Sequence, residues 1–296
     1  MNFKIVVAIP CYNEAQTIAA VVQDFQKALP EAEVMVFDNN STDGSKELAK
    51  NAGATVVSVH LQGKGYVMRE ILNMVVADAL VVLDGDGTYA AADVAQLITP
   101  VREGSADMVV GSRIDPKQRH SFLRLNWIGN KIIAGVINTV FGVRFCDVLS
   151  GYRCLSRKFI EEIPLLTTGF ETEVEMTIQA LEQGMNILEV PVTYGQRPMS
   201  SYSKLSPFSD GWRIFVAIAI LLRDYYPLRV YGAVGLVFFT LGAIAVYFGR
   251  LPEATTLVFL GIFTVSLGFI LSAIATRFRE SRQLARRRIR RGNGEY

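Results

Sequence analysis

The sequence predicts an α/β domain built on a Rossmann-like, mostly parallel sheet with helices on both faces, followed by an interfacial helix and two C-terminal transmembrane helices. Three observations carry this. Short β-rich apolar runs alternate with helical stretches up to Val110, polar loops follow the strands, and two long uncharged runs lie near the end of the chain.

The elements follow in order. Ile5 to Ile9 is a β-rich strand, and Glu14 to Leu29 an Ala-rich helix. Val34 to Phe37 is a second strand, Ser45 to Asn51 a helix, and Thr55 to Val59 a third strand. Helix Tyr66 to Ala77 leads to strand Leu80 to Leu83, and helix Ala91 to Val101 to strand Met108 to Val110. The βαβα order gives parallel strands with crossover helices.

Val230 to Phe248 and Ala254 to Thr276 are apolar and uncharged. Each can cross about 30 Å of hydrocarbon at about 1.5 Å per residue. Only Gly249 to Glu253 separates them, so they read as a hairpin with both ends on one side. The last twenty residues carry eight arginines and two acids, which sets that side as cytoplasmic. The tail is either a topology signal alone or also a binder of anionic lipid. Before the hairpin, Ile214 to Leu222 is too short to span, and Trp212, Arg213, Arg223, Tyr225 and Tyr226 flank it in the manner of an interfacial helix ended by Pro227. The divisions are therefore 1–208 N-terminal α/β domain, 209–227 interfacial helix, 228–277 hairpin and 278–296 basic cytoplasmic tail, in a multi-pass protein of the inner (plasma) membrane.

Half of the 296 residues are hydrophobic and the mean hydropathy is +0.28, with the excess concentrated after residue 210. A net charge of +2 argues against nucleic acid as a partner. Cys11, Cys146 and Cys154 are too few and too scattered for a disulfide framework, and with only His60 and His120 there is no zinc pattern. They read as reduced cytosolic thiols, and both histidines as incidental.

In parallel α/β sheets ligands sit beyond the carboxyl ends of the strands. Pro10 to Glu14, Asp38 to Asp43, Asp84 to Tyr89 and Gly111 to Arg113 all fall there. No GxGxxG or GxxxxGK[ST] is present, which disfavours a dinucleotide fold or a P-loop. Asp84 and Asp86 flank Gly85 at a strand end and can face one hard cation, Mg²⁺ or Mn²⁺, shared with substrate phosphates.

The ordered set IPCYNE, FDNNSTDGS, GKG, LDGDGTY, GSR, DVLSGYR and RPMSSYSKL resembles family-2 inverting glycosyltransferases of GT-A fold. Within them it is most similar to the dolichyl- and polyisoprenyl-phosphate sugar synthases, over residues 4 to about 208, and the hairpin matches their two-span bacterial branch. The resemblance implies that Pro10, Tyr12 and Glu14 line the nucleobase and ribose pocket, that Asp38 reads the base with Asn39 and Ser41 beside it, and that Lys64 lies near the nucleotide. It assigns Asp84 and Asp86 to the ribose and metal, Arg113 to the acceptor phosphate with Arg124 as a second clamp, and Asp147, Ser150 and Arg153 to the reacting centre. Ser150 and Arg153 then join the acceptor-phosphate set, and Arg197 and Lys204 cover the diphosphate. The chain departs from the family pattern at Thr88, where a Gln is common, at Ser200, often Gly, and at Tyr66, often small.

A phosphate monoester is anionic near neutral pH and needs no strong base. Positioning and charge neutralisation then supply most of the catalysis, with arginine forks on the phosphate. The reaction implied is metal-dependent transfer from a nucleotide-sugar, a UDP-sugar favoured over a GDP-sugar, to polyprenyl phosphate (undecaprenyl or dolichyl). Asp147 orients acceptor or sugar, with a general-base role as the weaker option. Phe122 to Val143 is either a core helix or one dipping into the bilayer beside the site, and Glu171, Glu173 and Glu175 read as first-turn acids complementing a helix dipole. A non-catalytic nucleotide-sugar-binding membrane subunit, or a glycosyltransferase using another acceptor, is the alternative. The two-span hairpin buries little and leaves room for homo-oligomers.

Overall fold

The computed structural model describes residues 3–114, 124–169, 171–195, 216, 219–220, 222–224 and 226–292. The chain divides into two compact units, Met1–Ala217 and Ile218–Tyr296.

The first unit is a seven-stranded sheet with helices on both faces. Its strands are β1 (Ile5–Cys11), β2 (Glu33–Asp38), β3 (Thr55–Ser58), β4 (Ala79–Val82), β5 (Met108–Ser112), β6 (Arg153–Ser156) and β7 (Ile187–Pro191). They lie in the order β3-β2-β1-β4-β6-β5-β7. β1 pairs in parallel with β2 and β4, β2 with β3, and β5 with β7. β1 is a continuous apolar run because both its faces are covered. Ile5, Val7, Ile9 and Cys11 face one core layer, and Val6 and Ala8 the other. Helix α1 (Ile18–Ala28) closes the first layer with Ile18, Val21, Val22 and Phe25, aided by α4 (Val94–Arg102) with Leu97 and Ile98. Helices α3 (Lys64–Met74), α6 (Arg157–Glu162) and α7 (Thr172–Glu182) close the second with Met68, Ile71, Phe159 and Met176. The short α2 (Ser45–Asn51) connects β2 to β3.

Two strands extend the βαβα pattern read from the sequence. β6 lies antiparallel between β4 and β5, with Arg153 opposite both Val82 and Val110. Its reversed direction puts its amino end, and so the Asp147 to Tyr152 loop, at the carboxyl ends of β4 and β5. β7 runs parallel to β5 and delivers Tyr194 to the same edge, where Tyr194 bridges Tyr89. The strand order reverses between β2 and β4 around β1, which is where α/β sheets bind ligands.

Helix α5 (Arg124–Phe141) buries Asn130, Ala134 and Ile137 and exposes Lys131, Ile132 and Thr139. It therefore packs on the domain along one stripe and leaves the other open.

The second unit contains α8 (Pro227–Tyr247) and α9 (Leu251–Gly292). Pro227 stands in the first turn of α8, where a missing N–H costs nothing. Both helices are long and apolar enough to cross a membrane, and little of their apolar surface is buried, so it faces outward, unlike that of a soluble core helix. The two helices pack closely: a Cβ on Gly235 would lie 2.5 Å from Val265 Cγ2. α9 continues beyond the apolar window as one helix through the arginine-rich tail to Gly292. Most of the expected interfacial helix, 209–227, lies outside the described residues.

Candidate active site

The first two loops are tied to each other. Ser41 Oγ accepts from the Asn13 N–H at 3.0 Å, and Asn13 Oδ1 accepts from Thr42 N–H at 2.8 Å. Ser45 Oγ accepts from Glu14 N–H at 2.7 Å. Asp43 accepts from the Ala15 and Ser45 N–H groups. This fixes Pro10, Tyr12 and Glu14 beside Asp38, with the Tyr12 ring exposed and Glu14 buried. Asp38 is buried; its Oδ2 accepts a long 3.3 Å bond from Ser41 N–H, and its Oδ1 has no hydrogen-bond partner among the described residues. A buried acceptor oxygen without a partner is costly unless a ligand supplies the donor.

Asn39 has a different duty from the one expected. Its Nδ2 donates to the Val59 and Leu61 carbonyls at 2.9 and 2.7 Å, and its Oδ1 accepts from Gly63 N–H at 2.8 Å. The whole amide holds the loop that leads into α3, so Asn39 shapes the pocket from behind.

That loop presents Lys64. Its Nζ lies 2.6 Å from Asp84 Oδ1 and 2.6 Å from Glu173 Oε1. Burial opposes the charged ammonium, but the two carboxylates outweigh burial and raise the Lys64 pKa above the ordinary lysine value. Glu173 is therefore more than a first-turn acid: it is buried on α7 and anchors Lys64. Glu175 is fully buried as well and accepts from the Leu166 and Thr167 N–H groups, fixing the loop that crosses the start of α3. The sequence signal is Glu173's position three and seven residues before Met176 and Ala180, the core face of α7.

Gly151 lets the Asp147 loop close on this pair. A Cβ there would stand 2.7 Å from Asp84 Oδ2 and 3.3 Å from Lys64 Nζ, so a side chain would displace the carboxylate. Asp86 is buried, and its Oδ1 accepts from Thr88 N–H at 3.0 Å and Thr88 Oγ1 at 2.6 Å. Thr88 thus holds Asp86 in place.

The Asp84 side chain is one-third exposed. Among the described residues no group of three or more Asp, Glu, His or Cys could hold a metal ion. Two carboxylates on one turn fit an ion of the Mg²⁺ or Mn²⁺ kind, which binds through one or two carboxylates and completes its shell with substrate phosphates and water.

Across the edge, Arg113 follows β5 and meets Asp147. Asp147 Oδ2 accepts from the Arg113 backbone N–H at 2.9 Å and from Nε at 2.8 Å, and Oδ1 accepts from Nη2 at 2.8 Å. The Asp147 side chain is fully buried and that of Arg113 is 13 % exposed. The ion pair outweighs burial and holds the Arg113 pKa well above its ordinary value. The Arg113 guanidinium also lies 5.5 Å from the Tyr194 ring centroid. Both Asp147 oxygens are thus engaged in holding the arginine.

Ser150 and Arg153 turn their side chains to partners inside the protein. The Ser150 hydroxyl is buried and donates to the Gly111 carbonyl. Arg153 is fully buried; its Nε donates to Ser150 O, Nη2 to Val148 O and Nη1 to Thr177 Oγ1. Burial lowers its pKa to about 10. Both residues brace the loop that carries Asp147 and Gly151. Arg124 is the first residue of α5; its side chain, and Arg197 and Lys204 entirely, lie outside the described residues.

The sheet brings the DGD turn, the buried Asp38 carboxylate and the Arg113–Asp147 pair to one edge. Residues 6–163 match the family described as Glycosyl transferase family 2, and the chain belongs to that family. It is 39% identical over 227 residues to Glycosyltransferase AglJ of Haloferax volcanii, covering 76% of this chain and 74% of that protein. It is 29% identical over 220 residues to the undecaprenyl-phosphate mannosyltransferase of Micrococcus luteus, covering 69% and 88% of the two chains. Among solved structures it is similar to Mycobacterium tuberculosis glucosyl-3-phosphoglycerate synthase in complex with Mn²⁺ and UDP-glucose, at TM-score 0.60 and 23% identity over 75% of this chain and 78% of the other, a likeness of fold.

Proposed function

We propose that this glycosyltransferase moves a sugar, with inversion, from a UDP-sugar to polyprenyl phosphate at the cytoplasmic membrane face, giving a polyprenyl-monophosphate-linked sugar. The observation that carries this is the Arg113 fork, held by the buried Asp147 carboxylate at the same sheet edge as Asp84, Asp86 and Lys64, in a chain with two helices apolar enough to span a membrane. The name of the Micrococcus luteus relative supports the acceptor class.

At the donor end, the partnerless Asp38 oxygen suits the single ring N–H of uracil. Asp84 and Asp86 would hold Mg²⁺ or Mn²⁺, which when bound neutralises charge on the diphosphate; the M. tuberculosis synthase complex with Mn²⁺ and UDP-glucose is consistent with this. Lys64, tethered by Glu173, adds a fixed positive charge beside Asp84. At the acceptor end, Arg113 binds phosphate oxygens through whatever donor capacity faces the cleft and sets the oxygen in line with the anomeric carbon. Both Asp147 oxygens are engaged by Arg113, and a phosphate nucleophile is already ionised, so attack needs no side-chain base. Arg124, Arg197 and Lys204 remain candidates for further phosphate contacts. The arginine-rich tail supports a topology with the hairpin's ends, and the catalytic domain, on the cytoplasmic side.

Arg113→Ala tests the acceptor role. It is expected to raise the acceptor KM while nucleotide binding persists; unchanged acceptor KM and rate would sink the phosphate-clamp assignment.

A further inference from the structure

We infer that Glu189, on the edge strand β7, is a positioning residue for Arg113, acting through the Cys146–Asp147 turn. The inference rests on the reading of Arg113 as the residue that holds the acceptor phosphate.

The geometry is a two-step relay. Glu189 lies opposite Val110 in the β5–β7 register, three residues before Arg113 on the neighbouring strand. Its Oε2 accepts from Cys146 N–H at 2.8 Å, and its Oε1 accepts from Asp147 N–H at 2.8 Å and from Cys146 N–H at 3.1 Å. The carboxylate therefore captures two successive backbone donors, and the second belongs to the residue whose side chain grips Arg113. From the opposite side α5 holds the same turn: Asn130 Nδ2 donates to Cys146 O at 2.6 Å, and Asn130 Oδ1 accepts from Leu149 N–H at 3.2 Å. The turn is pinned from both sides, and the Asp147 oxygens have one direction in which to point.

Electrostatics separates this from incidental packing. Glu189 stands between Leu188 and Val190 on a strand. Burial, with the nearby Asp147 charge, pushes its pKa up, while the two N–H groups and Arg153 pull it down. A carboxylate set beside a second, fully buried carboxylate is an unfavourable choice for filling an edge strand, where an apolar residue would serve. What the carboxylate provides is a pair of strong acceptors aimed at the turn.

The test uses the full-length protein in detergent with Glu189→Ala and Glu189→Gln, each alone and in an Arg113→Ala background. KM is measured separately for donor and polyprenyl phosphate, and amide hydrogen exchange is followed over residues 145–149. Loss of charge-assisted bonds at the turn is expected to raise the acceptor KM roughly tenfold, with the donor KM unchanged. Glu189→Gln recovers part of the loss, because its one carbonyl oxygen still accepts. In the Arg113→Ala background the Glu189 change costs nothing further, since the relay has no output. Equal changes in both KM values, or additive losses, would overturn the relay. If wild-type protein transfers no sugar to polyprenyl phosphate, the functional reading fails on its own. The relay is then decided by exchange: faster exchange of the Cys146 and Asp147 amides and of Arg113 Nε–H in Glu189→Ala supports it, and unchanged Arg113 Nε–H exchange overturns it.

Discussion

Replacing Asp147 with Asn probes the centre of the acceptor side. The carboxylate accepts three bonds from Arg113, two at Oδ2 and one at Oδ1. Asparagine keeps one acceptor oxygen, enough for the backbone N–H and Nε–H, and turns an NH₂ toward Nη2–H. One bond is lost, two donors face each other, and a guanidinium only 13 % exposed loses its counter-charge. Removing one partner of a buried ion pair costs about 3–5 kcal/mol, and the retained bonds favour the lower end, about 3 kcal/mol. At about 2–4 °C per kcal/mol for a domain of this size, the unfolding midpoint falls by about 6–12 °C. Thermal unfolding of the purified protein reads the midpoint of the catalytic unit, and steady-state transfer reads the acceptor KM, which rises while nucleotide affinity stays constant. A midpoint within about 1 °C of wild type, with unchanged acceptor KM, would refute the reasoning that Asp147 exists to hold Arg113.

Other consequences follow from the same geometry. Gly151→Ala puts a Cβ 2.7 Å from Asp84 Oδ2, so the folded protein binds donor nucleotide roughly tenfold more weakly, measurable by titration calorimetry. Lys64→Met leaves Asp84 and Glu173 facing each other without their shared cation; it lowers the unfolding midpoint, and adding Glu173→Gln recovers part of that loss. Against the raising effect of burial, bonds from Ser45 and Ala15 hold the Asp43 pKa below the ordinary aspartate value. Its stabilisation is therefore complete above the unfolded-state pKa and lost as pH falls through the lower folded value. The midpoint difference between wild type and Asp43→Asn is expected at pH 7 and disappears in strong acid; a constant difference contradicts it.

Much of this was legible in the sequence because both faces of the sheet are covered. Ile5 to Ile9 and Leu80 to Leu83 are continuous apolar runs, and polar residues begin where each strand ends, so Asp38, Asp84, Asp86 and Arg113 could be placed on one edge. The two C-terminal helices were legible because each contains a long apolar stretch without charge. β6 was not: it is four residues long and begins with Arg153, a charge whose burial is compensated by the Val148 and Ser150 carbonyls of the preceding turn and by the Thr177 hydroxyl on α7. Its reversed direction, which brings Asp147 to Arg113, leaves no local mark. Asn39, Ser150 and Arg153 were read as ligand contacts because their motifs flank the cleft, and the structure spends their side chains on loops. Glu173 was undervalued because acids in a first helical turn usually need no partner beyond the dipole.

The reaction itself is tested most directly by donor-dependent transfer. Purified protein in detergent, with Mg²⁺ or Mn²⁺ and undecaprenyl phosphate, is given a panel of UDP- and GDP-sugars, and the extracted lipid is assayed for sugar. Lipid-linked sugar from a UDP-sugar, lost on adding EDTA, is the expected result; nucleotide binding with no lipid product from any donor would contradict it.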